Sequence, residues 1–440
     1  MHKIFVMLGM ISIAMAANAQ TPLTLQEALK VGLENSKALK ISELNAVSAE
    51  AKYSEVNASR WANLSFQGRY TRLSAIPASV LTLPVSIPGV GNTFQIQQNV
   101  YNTYNLELSV QQPIFTGFQL TNASKAARDN AEASQFDAKT DKSNLKVQIA
   151  TAYWNVYNAL QAEEFMKENL DRTRSHYQQA GNMLAQGMLT QSDVLSVKVQ
   201  VSNSQLMLLN AENNLRLAEV ALNNVLGVPL SAEYTIESVP QAGDTTLPAI
   251  GQLLRDALEN RSELHSLKLR VNAAEAAAAA AWGAYLPQIS LVGNFYYQRP
   301  NQRIFPTQDV FKNTWDASVV VSLPIWNWGQ TQSKVDEAKA QSEQAQLAEQ
   351  QTADGVYLDV TRSYLNFKQA RDRIVVAETT VKDAEESYRI SDQKFKVGLV
   401  TNTDLLDAEV ALLQAKLNYS QSLTDLEIAR VSLEKATGQL

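Results

Sequence analysis

The chain contains no cysteine and only three histidines in 440 residues. No disulfide or thiolate metal site is available, so packing alone must hold the fold. A lipoprotein anchor, which needs an N-terminal cysteine, is also excluded. Histidine-based chemistry is nearly excluded too. His2 lies in the leader described below, and His176 and His265 sit in helical stretches far apart. There is no HExxH, GxSxG or P-loop pattern, and Gly89-Val90-Gly91 lacks the strand-to-helix setting of a phosphate loop. An enzyme is not expected, and no cofactor is implied. After Gln20 no run of about 18 apolar residues occurs, so no transmembrane helix is expected; a β-barrel gives no such signal and stays open. Strong positive charge is absent as well. The formal net charge is −6, which argues against nucleic acid as a partner.

What is present begins with a leader. Lys3, the apolar run Ile4–Ala17 and the site Ala17-Asn18-Ala19 have the order of a secretory signal peptide over residues 1–19. The chain then repeats itself. GMLTQSDVLSV at 187–197 returns as GLVTNTDLLDA at 398–408, and Gly187, Thr190 and Asp193 lie 211 residues before Gly398, Thr401 and Asp404. The same offset joins Pro113 to Pro324, Tyr153 to Tyr364, and Gly227 to Gly438. Upstream the offset is 225, as from Leu33-Glu34-Asn35 to Leu258-Glu259-Asn260. The 14 additional residues (225 minus 211) fall between Gly68 and Pro113 and are rich in proline and glycine, which reads as an exposed loop. A twofold internal repeat is expected, 20–227 and 249–440, joined by 228–248.

Four segments alternate with period two. Leu64, Phe66 and Tyr70 oppose Ser65, Gln67 and Arg69; Leu106, Leu108 and Val110 oppose Glu107 and Ser109; similar patterns run through Ile289–Phe295 and Trp315–Val321. Strands are expected at about 61–74, 99–113, 286–299 and 314–324. Such alternation suits a half-buried soluble sheet and a membrane barrel equally well. The remainder is helical: segments at 20–59 and 249–284, and long pairs at 116–227 and 330–438. The first member of each pair runs without proline for roughly 65 residues, about 100 Å. Their apolar stripes are narrow and small, as at Val335, Ala338, Ala345 and Ala348, which suits close helix pairing with water on other sides. Thr190 with Asp193, and Thr401 with Asp404, have the spacing of a capping box.

The order helix, strand, loop, strand, long helix pair, given twice, resembles the TolC-like outer-membrane efflux proteins. So do AYLPQISLVG at 284–293, QPIFTGFQL at 112–120, LPIWNWGQT at 323–331 and KVGLVTNTDLLDA at 396–408. The resemblance implies a mixed α/β membrane protein. Four strands per subunit form an all-antiparallel β-barrel of twelve in a homotrimer, continued by a long α-helical coiled-coil barrel in the periplasm. It implies outer-membrane lipid, a periplasmic adaptor and an inner-membrane transporter as partners, and export of drugs or metal ions. A type I protein-secretion duct and a structural coiled-coil envelope protein are the alternatives. Segment 228–248 would belong to a belt around the tunnel.

The resemblance also places the two repeated turns at a periplasmic tip, where Asp404 and Asp407 match pore-entrance carboxylates. They are three apart on a helix, hence on one face. Asp404 is equally explained as a cap; Asp407 lies beyond the cap, and its first-copy counterpart is Ser196. The family's polar latch residues match Phe395 and Val400, which cannot make those bonds, leaving Lys394 or Lys396 as candidate partners for Asp193. At the strand–helix corners, Pro113, Pro324, Trp326 and Trp328, with Phe115 and Phe118, read either as an interfacial girdle or as corner packing. Tyr70, Tyr296 and Tyr297 are candidates for the opposite rim.

Overall fold

The computed structural model describes residues 21–74, 80–95, 100–240, 247–305 and 307–440. The expected leader lies outside them. The elements run β1 (Thr21–Leu23), α1 (Leu25–Asn35), α2 (Lys37–Ala58), β2 (Asn63–Arg72), β3 (Val80–Ile87), β4 (Gly91–Gln95), β5 (Asn102–Phe115), α3 (Gln119–Ala185) and α4 (Gln191–Leu226). They continue with β6 (Tyr234–Ile236), α5 (Ile250–Asn260), α6 (Ser262–Trp282), a 3₁₀ turn (Gly283–Tyr285), β7 (Gln288–Arg299), β8 (Lys312–Ser322), α7 (Gln330–Lys396) and α8 (Asn402–Ala436). Among the described residues no helix is long and apolar enough to cross a membrane.

Two compact units are present. The first takes residues 21–42, 139–261 and 354–440; the second takes 43–138 and 262–353. In the second unit β2, β5, β7 and β8 form one antiparallel sheet in the order β2-β5-β7-β8. Register places Phe66 beside Leu108, Leu108 beside Phe295, and Phe295 beside Trp315, so one apolar row crosses all four strands. The next row on the other face is Ser65, Ser109, Asn294 and Asp316. There Ser109 donates to Asn294 Oδ1 at 2.7 Å and Asn294 donates to Asp316 Oδ1 at 2.9 Å. The apolar row is not covered: Phe66 is 68% exposed and Trp315 73%.

The first unit is built around Ile149, Tyr153, Leu222 and Leu226. Tyr153 donates its hydroxyl to the Leu23 carbonyl at 2.9 Å and accepts from the Ser238 amide at 3.0 Å, tying the parallel pair β1 and β6 to α3. The segments expected as single helices at 20–59 and 249–284 are each broken. Ser36 and Arg261, both extended (ψ 115 and 121), separate α1 from α2 and α5 from α6. The two breaks lie 225 residues apart. Along α7 the buried and half-buried positions follow spacings of three and four, from Val335, Ala338, Ser342 and Ala345 to Phe367, Ala370 and Ile374. One additional spacing of four occurs at Val356–Val360, next to Gly355. This is a coiled-coil seam with a single local change of winding. The seam takes Glu349 and leaves Ala348 exposed, contrary to the stripe drawn from sequence.

Two further expectations change. The interval between β2 and β5 carries the hairpin β3–β4, turning at Pro88-Gly89-Val90. The alternation of Val80–Ile87 was hidden by Pro84 within it and by Pro77 and Pro88 around it. Pro113 lies inside β5, paired with Ser290, two residues before the strand ends. The register shifts between Pro113 and Phe115, since a proline without an N–H is accommodated at a bulge.

Candidate functional site

The tips of the two long helix pairs lie in the first unit and share one construction. α3 ends with Gly187 at φ 76, and α7 with Gly398 at φ 73. The amides of Gly187 and Met188 donate to Leu184 and Met183, and those of Gly398 and Leu399 donate to Phe395 and Lys394, all at 2.9 Å. This is a Schellman closure, and the left-handed residue is why glycine stands there.

The following helix begins with a full capping box in each copy. Thr190 N and Oγ1 donate to Asp193 Oδ2 at 2.9 and 2.7 Å, and Asp193 N donates back to Thr190 Oγ1 at 3.2 Å. Thr401 and Asp404 repeat this at 2.8, 2.7 and 3.2 Å. The threonine hydroxyl, and after it the threonine amide, hold both carboxyls below the ordinary Asp range. Asp404 is therefore bonded as Asp193 is, and its cap role accounts for its geometry. Asp407 is exposed and, among the described residues, makes no hydrogen bond or ion pair. It shares the exposed face of α8 with Thr403, Asp404 and Val410.

The lysines do not supply a partner for Asp193. Its bonds go to Thr190, and Lys396 pairs instead with Asp392 at 2.6 Å. The tips meet through apolar side chains. Phe395 is 1% exposed and packs with Met183 and Leu405, joined by Leu189, Tyr388 and Val400. Met183 and Leu189 come from the first tip, the other four from the second. Phe395 and Val400, unable to form polar bonds, contribute to this cluster. Sequence reasoning missed its partner His176, whose ring stands edge-on to Phe395 at 4.9 Å. Nothing in the local sequence around His176 signals that contact.

At the strand–helix corners both connections pass through two successive left-handed residues: Gly117 and Phe118 (φ 61 and 64), then Trp328 and Gly329 (φ 55 and 81). Gly117 and Gly283 approach so closely that a Cβ on Gly117 would sit 2.3 Å from the Gly283 oxygen. Ile325 and Trp328 are about nine-tenths exposed, and Trp326 and Trp328 pack edge-to-face at 5.9 Å. Pro324 follows the end of β8 at Ser322. At the other end of the sheet Tyr70 and Tyr104 lie 5.0 Å apart, and Tyr297 stacks on Phe311 at 4.9 Å. Tyr296 does not join them. It pairs in register with Glu107 and Thr314 on the polar face, under the Arg303 guanidinium at 4.5 Å.

The chain combines an antiparallel sheet whose apolar face is exposed with helices of 67 residues, about 100 Å long. The model of the outer membrane efflux protein family matches residues 28–228 and 253–439. The chain belongs to that family. Among curated relatives, the outer membrane efflux protein BepC of Brucella suis is 25% identical over 344 residues, covering 77% of this chain and 73% of that one. The outer membrane protein TolC of Vibrio cholerae is 24% identical over 363 residues, covering 78% and 82%. Among solved structures, the CmeC outer membrane channel of Campylobacter jejuni superposes with TM-score 0.80 at 17% identity, over 94% of this chain and 85% of that one. A crystal structure of CusC gives 0.79 at 19% identity, over 97% and 95%. The fold is that of outer-membrane efflux channels, and family membership places the chain in the outer membrane as an efflux component.

Proposed function

We propose that three copies of this chain close their four-stranded sheets into one barrel of twelve strands, making the exit duct of a tripartite efflux system for small molecules, drugs or metal ions. The observation that carries this reading is the open sheet. β2 and β8 are edge strands, and the apolar row Phe66–Leu108–Phe295–Trp315 has no cover. Open edges are excluded from lipid, so a sheet with a lipid-compatible face needs further strands, and identical copies supply them. The polar row through Ser109, Asn294 and Asp316 then faces the water-filled lumen.

The same reading assigns the remaining parts. The matching breaks at Ser36 and Arg261 and the matching tip caps support an internal duplication of 20–227 and 249–440, with 228–248 as the equatorial segment. Residues 1–19 serve as the export signal. The long helix pairs continue the barrel into the periplasm, where an adaptor and an inner-membrane transporter engage it. Trp326 and Trp328, with Ile325, sit at the periplasmic interface of the lipid, where exposed aromatic rings are favoured. Asp404 and Asp407 face the pore entrance, Asp404 through the oxygen its cap leaves free. Chemical crosslinking and planar-bilayer conductance of purified protein test the whole: trimers with stepwise conductance are expected, and a non-conducting monomer in mild detergent overturns the proposal.

A further inference from the structure

His176 is buried at 3% exposure, and neither ring nitrogen has a hydrogen-bond partner. Its Nδ1 lies 3.7 Å from Oε1 of Glu409, itself 3% exposed. That distance is too long for a hydrogen bond but within ion-pairing range. The two residues stand on α3 and α8, so they join the two long helix pairs just above the tips. Both border a cavity of about 410 Å³ between α3, α7 and α8.

Most other charges around this cavity are matched, although Arg172 on α3 keeps Nε and Nη2 buried without a hydrogen-bond partner. From α3, Glu168 faces Lys416 at 3.0 Å and Arg172 at 3.5 Å, and Asp171 faces Arg174 at 3.7 Å. From α7, Asp392 is held by Lys396, and Tyr388 lies under the Arg172 guanidinium at 5.5 Å. From α8 comes Glu409. Among the described residues His176 is the only basic group within ion-pairing distance of it. With a neutral imidazole, the buried Glu409 carboxylate has no opposing charge within ion-pairing distance among the described residues, and burial makes that arrangement costly. One proton on His176 supplies both the charge and a second N–H, and a contraction of under 1 Å brings Nδ1 into charge-assisted bonding distance. Imidazole is the side chain whose charge ordinarily changes between about pH 5 and 8.

We propose that His176 and Glu409 form a proton-operated clasp between the two tips. Protonated, it ties α3 to α8 and backs Phe395, whose ring rests on the imidazole. Deprotonated, it leaves the Glu409 carboxylate unpaired and the tips part more readily. The clasp rests on the geometry of one chain; only its consequence for transport rests on the channel reading.

Hydrogen–deuterium exchange of the full-length protein in detergent tests it, at about pH 5.5 and about pH 8, corrected for the intrinsic pH dependence of exchange. Peptides covering 170–185 and 403–412 should be protected about tenfold more at the lower pH, with 120–135 as the internal control. His176→Gln and Glu409→Gln should each abolish the difference while leaving the control unchanged. Should His176→Gln fail to fold, Glu409→Gln, close in volume to the native side chain, carries the same reading. Equal protection of the unmodified protein at both pH values overturns the clasp, as does retention of the difference in either folded variant. Neither arm requires a conducting channel.

Discussion

One carboxylate oxygen of Asp404 accepts two bonds from Thr401, from its amide at 2.8 Å and its hydroxyl at 2.7 Å. The ionised carboxylate is the acceptor, so these bonds favour it over the acid. The sign follows. A carboxyl held below its ordinary value stabilises the folded state at pH values above the ordinary Asp pKa of about 3.9, and that contribution is lost as pH falls through the lowered one. Thr401→Ala should move the Asp404 titration back up toward the ordinary value. Carboxyl-carbon NMR of selectively labelled protein, assigned with Asp404→Asn, checks this; an unmoved titration would show that the hydroxyl bond is not the cause.

Phe395 fills the junction between the tips at 1% exposure. Phe395→Ala should cost about 3–5 kcal/mol of local packing, because the surrounding helices cannot close fully on the vacated volume. The tip turns, already exposed at Val397 and Leu399, should then be cut faster by limited proteolysis, while the sheet of the second unit stays intact. Cleavage at the unmodified rate would mean that Phe395 does not hold the tips.

Gly117 and Gly181 make a paired test. A Cβ on Gly117 meets the Gly283 oxygen at 2.3 Å in a backbone already at φ 61, whereas a Cβ on Gly181 meets nothing within 4 Å. Gly117→Ala should therefore lower the thermal unfolding midpoint and the yield of assembled protein. Gly181→Ala, in the interior of a helix, should leave the protein equal or slightly more stable, by up to about 1 kcal/mol. Circular dichroism melting of both variants decides it, and a harmless Gly117→Ala would contradict the close approach of the two backbones.

Asp407 separates pore chemistry from capping, because it is exposed and takes no part in the Thr401 box. Carboxylates gathered at a constriction hold multivalent cations. In the channel proposed above, Asp407→Ala should weaken block of the bilayer current by such cations added from the tip side, with the oligomeric state unchanged. An unchanged blocking constant would place Asp407 on an ordinary solvated face.

Some features were legible because their cause is local. Alternation in Phe66, Leu108, Phe295 and Trp315 marks strands, and the caps at Thr190 and Thr401 need only four consecutive residues to form. Glycine at 187 and 398 announces a left-handed helix end in the same way. By themselves these patterns determined the four strands β2, β5, β7 and β8, the long helices and the tip turns, but not the β3–β4 hairpin or the short pair β1 and β6. They also carried the family resemblance that the comparisons then bore out.

Tertiary structure decided what depends on residues distant in the chain. Ser36 and Arg261 look like helix interior, yet the helix breaks at both. Tyr297 stacks on Phe311 and Tyr296 lies under the Arg303 guanidinium, partners that only the packed sheet brings to them. His176 and Glu409 are separated by 233 residues, 409 minus 176, and meet only because α3 and α8 pack together. Burial is a property of the packed chain, so a lone histidine on a helix comes to face a buried carboxylate only once the opposite helix is in place.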